Sequence, residues 1–320
     1  MAGTLVFLEH ANGSILKGAL GVLSRAAALD GDVAGVVLGP NGSEVAPAAG
    51  AYGAATVHVC EDSALEAPLP QPRVDAIEAL VARTGAENVL FGASVLAADV
   101  AAGLATRLGA GLNWDLTELS VADGELRGQR PALGDTVLVD VAWTSTPRVA
   151  LVRSGAMEPA ETGGTATVES FEATFKDHST RATLVEHIQE EATGPSIEDA
   201  EVIVAGGRGL GAAEGFQICE ELATALGGAV AATRAVVDAG WSPYPTQVGQ
   251  TGKTVAPRLY IACGISGAIQ HKVGMQRSQT IVSVNKDATA PIFEFSDLGV
   301  VGDVHQVIPK LAQLVRERKG

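Results

Sequence analysis

Between Val202 and Asn285 one pattern recurs, and it constrains the fold more than any other feature of the chain. A short apolar run stops abruptly on a cluster of small or polar residues. Val202–Ala205 runs into Gly206-Gly207-Arg208-Gly209-Leu210-Gly211, and Ala229–Ala232 into Thr233-Arg234. Leu259–Ala262 is followed by Gly264-Ile265-Ser266-Gly267, and Thr280–Val284 by Asn285-Lys286-Asp287. Unbroken apolar runs of this length are strands buried on both faces, which means a parallel sheet. Such a sheet takes its ligand across the carboxyl edge, where the small and polar clusters fall.

The flanking segments agree with that architecture. Phe216–Leu226 has the spacing of a helix between two of the strands. Val304–Arg318 has the spacing of a terminal one, which Pro309 is expected to interrupt in its first turns. Upstream, apolar runs at Leu5–Glu9, Val33–Leu38, Ala55–Val59 and Asn88–Phe91 alternate with helical periodicity at Leu16–Leu29, Val74–Arg83 and Ala97–Leu108. That alternation predicts a first, Rossmann-like α/β domain with its own parallel sheet. The middle changes character. Leu116–Ala122 and Glu125–Gln129 flank Asp123-Gly124, a hairpin signal. With Thr136–Trp143, Arg148–Val152 and Thr165–Phe171 they predict an antiparallel extension of the first domain. Glu186–Ala200 is acidic, carries Gly194-Pro195 and has the composition of a linker. The expected organisation is an α/β domain over 1–188, a linker over 189–199 and a doubly wound C-terminal domain over 200–320.

Composition removes several function classes. The 320 residues carry a formal charge of −15 with no basic block, so nucleic acid is not an expected partner. The three cysteines, Cys60, Cys219 and Cys263, are far apart and form no CxxC, which argues against a disulfide framework or zinc site and for a reducing compartment. MAGTLVFLEHANGS has neither the basic-then-apolar build of a signal peptide nor the Arg-rich build of a transit peptide, and no apolar run has membrane-spanning length. The expectation is a cytoplasmic protein that is not membrane-embedded.

Taken singly, the candidate site residues are ambiguous. Gly207-x-Gly209-x-x-Ala212 fits the loose G-x-G-x-x-[GA] pattern, but a nicotinamide site also needs an acid at the end of the second strand. That strand ends Ala232-Thr233-Arg234, and a structural Gly turn fits as well. Gly249-Gln250-Thr251-Gly252-Lys253-Thr254 imitates the end of a P-loop, yet Gln247 stands where the first Gly belongs and Pro257 blocks the helix that should follow. Arg234 alone reads as a solvated charge, His271 as a satisfied surface or core histidine, and Asn285 and Asp287 as turn residues. Together the clusters sit at the ends of neighbouring strands and supply two cations, several hydroxyls and small residues. They include no metal-ligand cluster, no Ser-His-Asp order and no close carboxylate pair. That inventory suits a large, polar, anionic cofactor better than hydrolysis. A nucleotide-dependent enzyme and a non-catalytic interaction module remain open from the residues alone.

GGRGL (206–210), TRAVVDAGW (233–241), QVGQTGKTVAPRLYIACGISGAIQH (247–271), IVSVNKDATAPIF (281–293) and GVVGD (299–303) together closely resemble the α subunit of electron transfer flavoprotein. The match spans nearly all of the second domain, and LVFLEH extends it more loosely to the first. The resemblance implies a heterodimer with a β subunit and one FAD bound mainly by the C-terminal domain, with AMP in the partner. It implies an electron carrier rather than an enzyme with its own substrate turnover. Electrons would come from acyl-CoA and related dehydrogenases and leave to a membrane quinone oxidoreductase through a flavin semiquinone. A bifurcating member of the same family is a further possibility. The matching cofactor-binding positions are Arg208, Thr233 (often Ser in the family), Arg234, Gln247, Val248, Gly249, Gln250, Thr251, Ser266, Gly267, Ala268, Ile269, Gln270, His271, Asn285, Asp303 and Val304. Of these, Arg234 over the ring, His271 near the pyrimidine carbonyl and Thr251 at the flavin N5 edge are implied to tune the chemistry. Ser266 and Gly267 are implied at the diphosphate, and Asn285 and Asp303 at the ribose and adenine end.

Overall fold

Strand-long apolar runs demand cover on both faces, and the computed structural model shows how each is covered. It describes residues 3–29, 32–133, 137–186, 196–198 and 200–319. The chain divides into two compact units, Met1–His187 and Ile188–Gly320. The linker expected over 189–199 lies, apart from 196–198, outside the described residues.

The first unit is built on a seven-stranded parallel sheet. Its strands are β1 (Thr4–Phe7), β2 (Val33–Leu38), β3 (Thr56–Cys60), β4 (Asn88–Gly92), β5 (Leu112–Leu116), β9 (Arg148–Val152) and β10 (Thr167–Ser170), in the order β10-β3-β2-β1-β4-β9-β5. Alternate side chains go to opposite faces. Leu5, Phe7, Val36, Leu38, Val89 and Phe91 join one buried cluster, and Val6, Leu8, Val37, Val59 and Leu90 join the other. Helix α1 (Lys17–Leu29) covers the second cluster, and α2 (Pro70–Thr84) and α3 (Val95–Leu108) cover the first. Pro70 opens α2, and Gly85, in the left-handed region at φ 68°, ends it. Ser94 caps α3 by accepting from the Ala97 amide at 2.9 Å.

The antiparallel extension is smaller than the sequence predicts. It comprises β6 (Glu118–Ala122), β7 (Glu125–Ala132) and β8 (Val137–Val141), in the order β8-β7-β6. Asp123 (φ 55°) and Gly124 (φ 77°) both lie at positive φ in the hairpin between β6 and β7, as a type I′ turn requires. Arg148–Val152 and Thr165–Phe171, expected in this extension, belong instead to the parallel sheet: β9 lies between β4 and β5, and β10 pairs with β3. The reason is burial. Val149, Ala150, Leu151 and Val152 are all buried, so both faces of β9 need cover that only a central position supplies. Strand β5, LNWDL, carries no periodic signal and was not foreseen.

The second unit is a six-stranded parallel sheet: β11 (Val202–Gly206), β12 (Ala229–Thr233), β13 (Gln247–Val248), β14 (Leu259–Cys263), β15 (Ile281–Asn285) and β16 (Leu298–Val301), in the order β13-β12-β11-β14-β15-β16. Its strand order reverses between β11 and β14. The edge strands β13 and β16 were not expected, the first too short and the second too exposed to read from the sequence. Helices α4 (Gln217–Leu226) and α6 (Val304–Lys319) pack together over one face and bury Cys219, Leu222, Ile308 and Ala312, while α5 (Ile269–Met275) lies on the other. Pro309 does not interrupt α6. It stands at the sixth residue, so it removes one hydrogen bond near the start while the buried Ile308 and Ala312 anchor the turns on either side.

Candidate functional site

At the reversal between β11 and β14 the following loops meet without side chains between them. The Gly207 amide donates to the Cys263 carbonyl at 3.0 Å, and the Gly209 amide to the Gly264 carbonyl at 3.0 Å. A Cβ on Gly209 would lie 2.6 Å from the Gly264 Cα, and Gly264 itself is at φ 63°. Only glycine permits this crossing, and it leaves a floor of bare backbone in the crevice where parallel sheets bind ligands.

A cavity of about 630 Å³ opens above that floor, within the range of cofactor pockets. Its wall takes Arg208 from the loop after β11, Thr233 from the end of β12, Arg234 and Asp238 from the helical turn that follows it, and Gly249–Thr251 from the loop after β13. Ser266, Ala268, Gln270 and His271 come from the loop and helix after β14, and Asn285 and Asp287 from the end of β15. Arg234 is exposed and pairs with Asp238 at 3.2 Å. The 249–251 loop is sewn in place. Buried Gln247 donates to the Thr251 hydroxyl at 3.2 Å, the Tyr244 hydroxyl donates to the Thr251 carbonyl at 3.0 Å, and the Gln250 amide donates to the Gln270 carbonyl at 2.7 Å. Across the cavity the Asn285 amide group holds the Ile265 carbonyl at 2.9 Å. The Thr289 hydroxyl and amide bond the Asp287 carboxylate and hold it below the usual carboxylate range.

His271 is only 6% exposed. Burial pushes its pKa down to about 4, so the ring is neutral at neutral pH. Its Nδ1 lies 3.0 Å from the Val248 carbonyl and its Nε2 3.0 Å from the Tyr260 hydroxyl. The positive charge at the cavity wall therefore comes from Arg208 and Arg234.

Of the residues expected at the site, Arg208, Thr233, Arg234, Gly249, Gln250, Thr251, Ser266, Ala268, Gln270, His271 and Asn285 line this cavity. Six others are placed elsewhere. Gln247 and Val248 are buried beneath the loop they support. Gly267 turns at φ 88° with its Cα face against Ile292, and Ile269 is 74% exposed. Asp303 accepts from the His305 amide at the start of α6, and Val304 is buried below it. Sequence reasoning did not single out Gly264, Ile265, Asp238 or Pro291 as wall residues. The first two were signalled by their position directly after a strand; the last two lie in the quoted segments 233–241 and 281–293, but nothing in those segments marked them individually. Among the described residues no group of three His, Cys, Asp or Glu is placed to hold a metal ion, and no helix is long and apolar enough to cross a membrane.

Residues 196–276, which hold most of the cavity wall, match the family domain described as "Electron transfer flavoprotein FAD-binding domain". Residues 4–176 match "Electron transfer flavoprotein domain". The chain is 41% identical over 322 residues to the electron transfer flavoprotein subunit alpha of Mycobacterium tuberculosis, covering 100% of both chains. It is 39% identical over 322 residues to the same subunit of Thermoanaerobacterium thermosaccharolyticum, covering 98% of each. It is 38% identical over 286 residues to that of Bacillus subtilis, covering 89% of this chain and 87% of the other.

Proposed function

Because the chain belongs to the electron transfer flavoprotein α-subunit family, we propose that its C-terminal unit holds FAD in the cavity at the sheet reversal and carries electrons between protein partners. The observation that carries this reading is the glycine floor. A Cβ at Gly207 would lie 2.6 Å from the Gly264 carbonyl oxygen, and one at Gly209 2.6 Å from the Gly264 Cα, so the crevice is kept open down to the backbone. That is the condition for a diphosphate to approach closely. The wall fits the group. It offers two guanidinium groups, hydroxyls at Thr233, Thr251 and Ser266, and an amide at Gln270, and it needs no metal.

When bound, the flavin supplies the redox chemistry, and the protein supplies binding, orientation and electrostatics. Arg234 and Arg208 provide positive charge toward an anionic cofactor, and the exposure of Arg234 leaves it free to exchange Asp238 for a ligand. Thr251, held through its hydroxyl by Gln247 and through its carbonyl by Tyr244, presents a positioned polar edge. Ser266 and the backbone around it line the floor where a diphosphate lies, and Asn285 and Asp287 line the end nearest β15. The chain pairs with a β subunit, accepts electrons from acyl-CoA and related dehydrogenases and passes them to a quinone oxidoreductase; family membership supports this assignment. AMP is assigned to the partner on the same ground.

The test is an absorption spectrum of this chain co-purified with its β subunit and reduced stepwise with dithionite. Flavin bands that bleach in two separate stages support a one-electron carrier. A complex that stays colourless after FAD is added overturns the reading.

A further inference from the structure

Tyr260 is the largest fully buried side chain among the described residues of the second unit, and there its hydroxyl pairs with Nε2 of His271 at 3.0 Å. The other ring nitrogen of His271, Nδ1, faces the Val248 carbonyl at 3.0 Å. A carbonyl oxygen only accepts, so the Nδ1 position carries the hydrogen. A neutral ring protonated there has a lone pair at Nε2, and the Tyr260 hydroxyl donates to it. The three groups come from three elements: Tyr260 from β14, Val248 from β13 and His271 from α5. The rings lie 6.1 Å apart at 56°, so the pair is fixed by packing as well as by the hydrogen bond.

We infer that Tyr260 is a positioning residue of the cofactor site, holding His271 as the Nδ1–H tautomer with its Nε2 lone pair capped. This deepens the flavin reading and rests on it for its consequence, while the geometry stands alone. With both nitrogens engaged inside the protein, His271 lines the cavity as a neutral ring in one orientation and offers a ligand no N–H. A hydrogen bond from His271 to a bound pyrimidine carbonyl, the role the family resemblance implies, would need an Nε2–H directed away from Tyr260, and the observed pairing leaves none. A phenylalanine ring at this position has no hydroxyl to cap Nε2. Tyr260 therefore sets which tautomer of His271 borders the cavity, without lining the cavity itself.

The experiment is ¹⁵N NMR of histidine-labelled, flavin-loaded complex with its β subunit, with His271→Gln used to assign the resonances. Wild-type protein at neutral pH is expected to show a protonated Nδ1 and an unprotonated, hydrogen-bonded Nε2. In Tyr260→Phe the Nε2 resonance is expected to move to the position of a free imine nitrogen. The FAD dissociation constant is expected to rise roughly two- to tenfold, the effect of one hydrogen bond lost beside the site. A protonated Nε2 in the wild type overturns the inference, and needs no variant should Tyr260→Phe fail to fold. Unmoved resonances in the variant overturn it as well, and a moved resonance with unaltered FAD affinity overturns the link to the cofactor. A complex that retains no flavin sinks the electron-carrier reading but leaves the tautomer measurement intact. A flavin-loaded complex with a protonated Nε2 does the reverse.

Discussion

His271 makes stability depend on pH in a direction that its burial dictates. The unfolded ring titrates near 6.5 and the folded ring at about 4, because desolvation penalises the cation. Above pH ~6.5 neither state is protonated at this ring and its contribution is fully present. As the pH falls toward 4 the unfolded chain takes a proton that the folded one refuses, and stability is lost, by about 3 kcal/mol in all. The difference in urea midpoint between wild type and His271→Gln, followed from pH 7.5 to 4.5, is therefore expected to shrink as the pH falls; a pH-independent difference would contradict a neutral buried ring. Gly264 offers a second test. Its φ of 63° and its contact with Gly209 leave no room for a methyl group. Gly264→Ala is expected to cost about 1–3 kcal/mol of stability and to release the cofactor, read as a lower melting temperature and a lower flavin-to-protein absorbance ratio. Arg234→Ala touches nothing buried, so it should leave the melting temperature of the flavin-free protein unchanged while weakening FAD binding several-fold.

Helices α2 and α3 are joined by one polar hub. Asp75 is 2% exposed; it accepts from Arg107 of α3 and, at 2.9 Å, from the Lys176 amide of the irregular segment after β10. Arg107 and the Lys176 ammonium both reach Glu78, at 3.0 and 2.7 Å. The hub therefore ties two helices and the end of the first unit to one buried carboxylate. Asp75→Ala takes one of two carboxylate partners from Arg107, which keeps Glu78, and removes the acceptor of the Lys176 amide; it is expected to cost about 1–3 kcal/mol. Limited proteolysis should show faster cleavage near Lys176. Cleavage at the wild-type rate would mean that the apolar contacts of Phe171, Ala173 and Phe175 alone hold the segment.

Among the described residues the antiparallel extension ends in β8, whose Val137, Leu138 and Val139 are all exposed, next to Leu133 at 81% exposure. An apolar edge strand left bare invites association, and the β subunit proposed above is a partner to cover it. Leu138→Asp is expected to weaken co-purification with the β subunit at least tenfold, about 1.4 kcal/mol, without altering the FAD-binding unit. Retention of full association would place the partner elsewhere. Much of this organisation is local and so readable along the chain. Apolar runs ended by glycine mark β11 and β14, Asp123-Gly124 marks its hairpin, and the clusters at 206–211, 249–251 and 264–271 mark the cavity, because strand burial and turn conformation depend on neighbouring residues. Other features depend on which distant segments become neighbours. The insertion of Arg148–Val152 between β4 and β5, the crossing of Gly209 under Gly264 and the closure of Tyr260 on His271 carry no local signal. Each follows from sheet register and packing, which bring together residues up to 60 positions apart and exist only once both cores have formed.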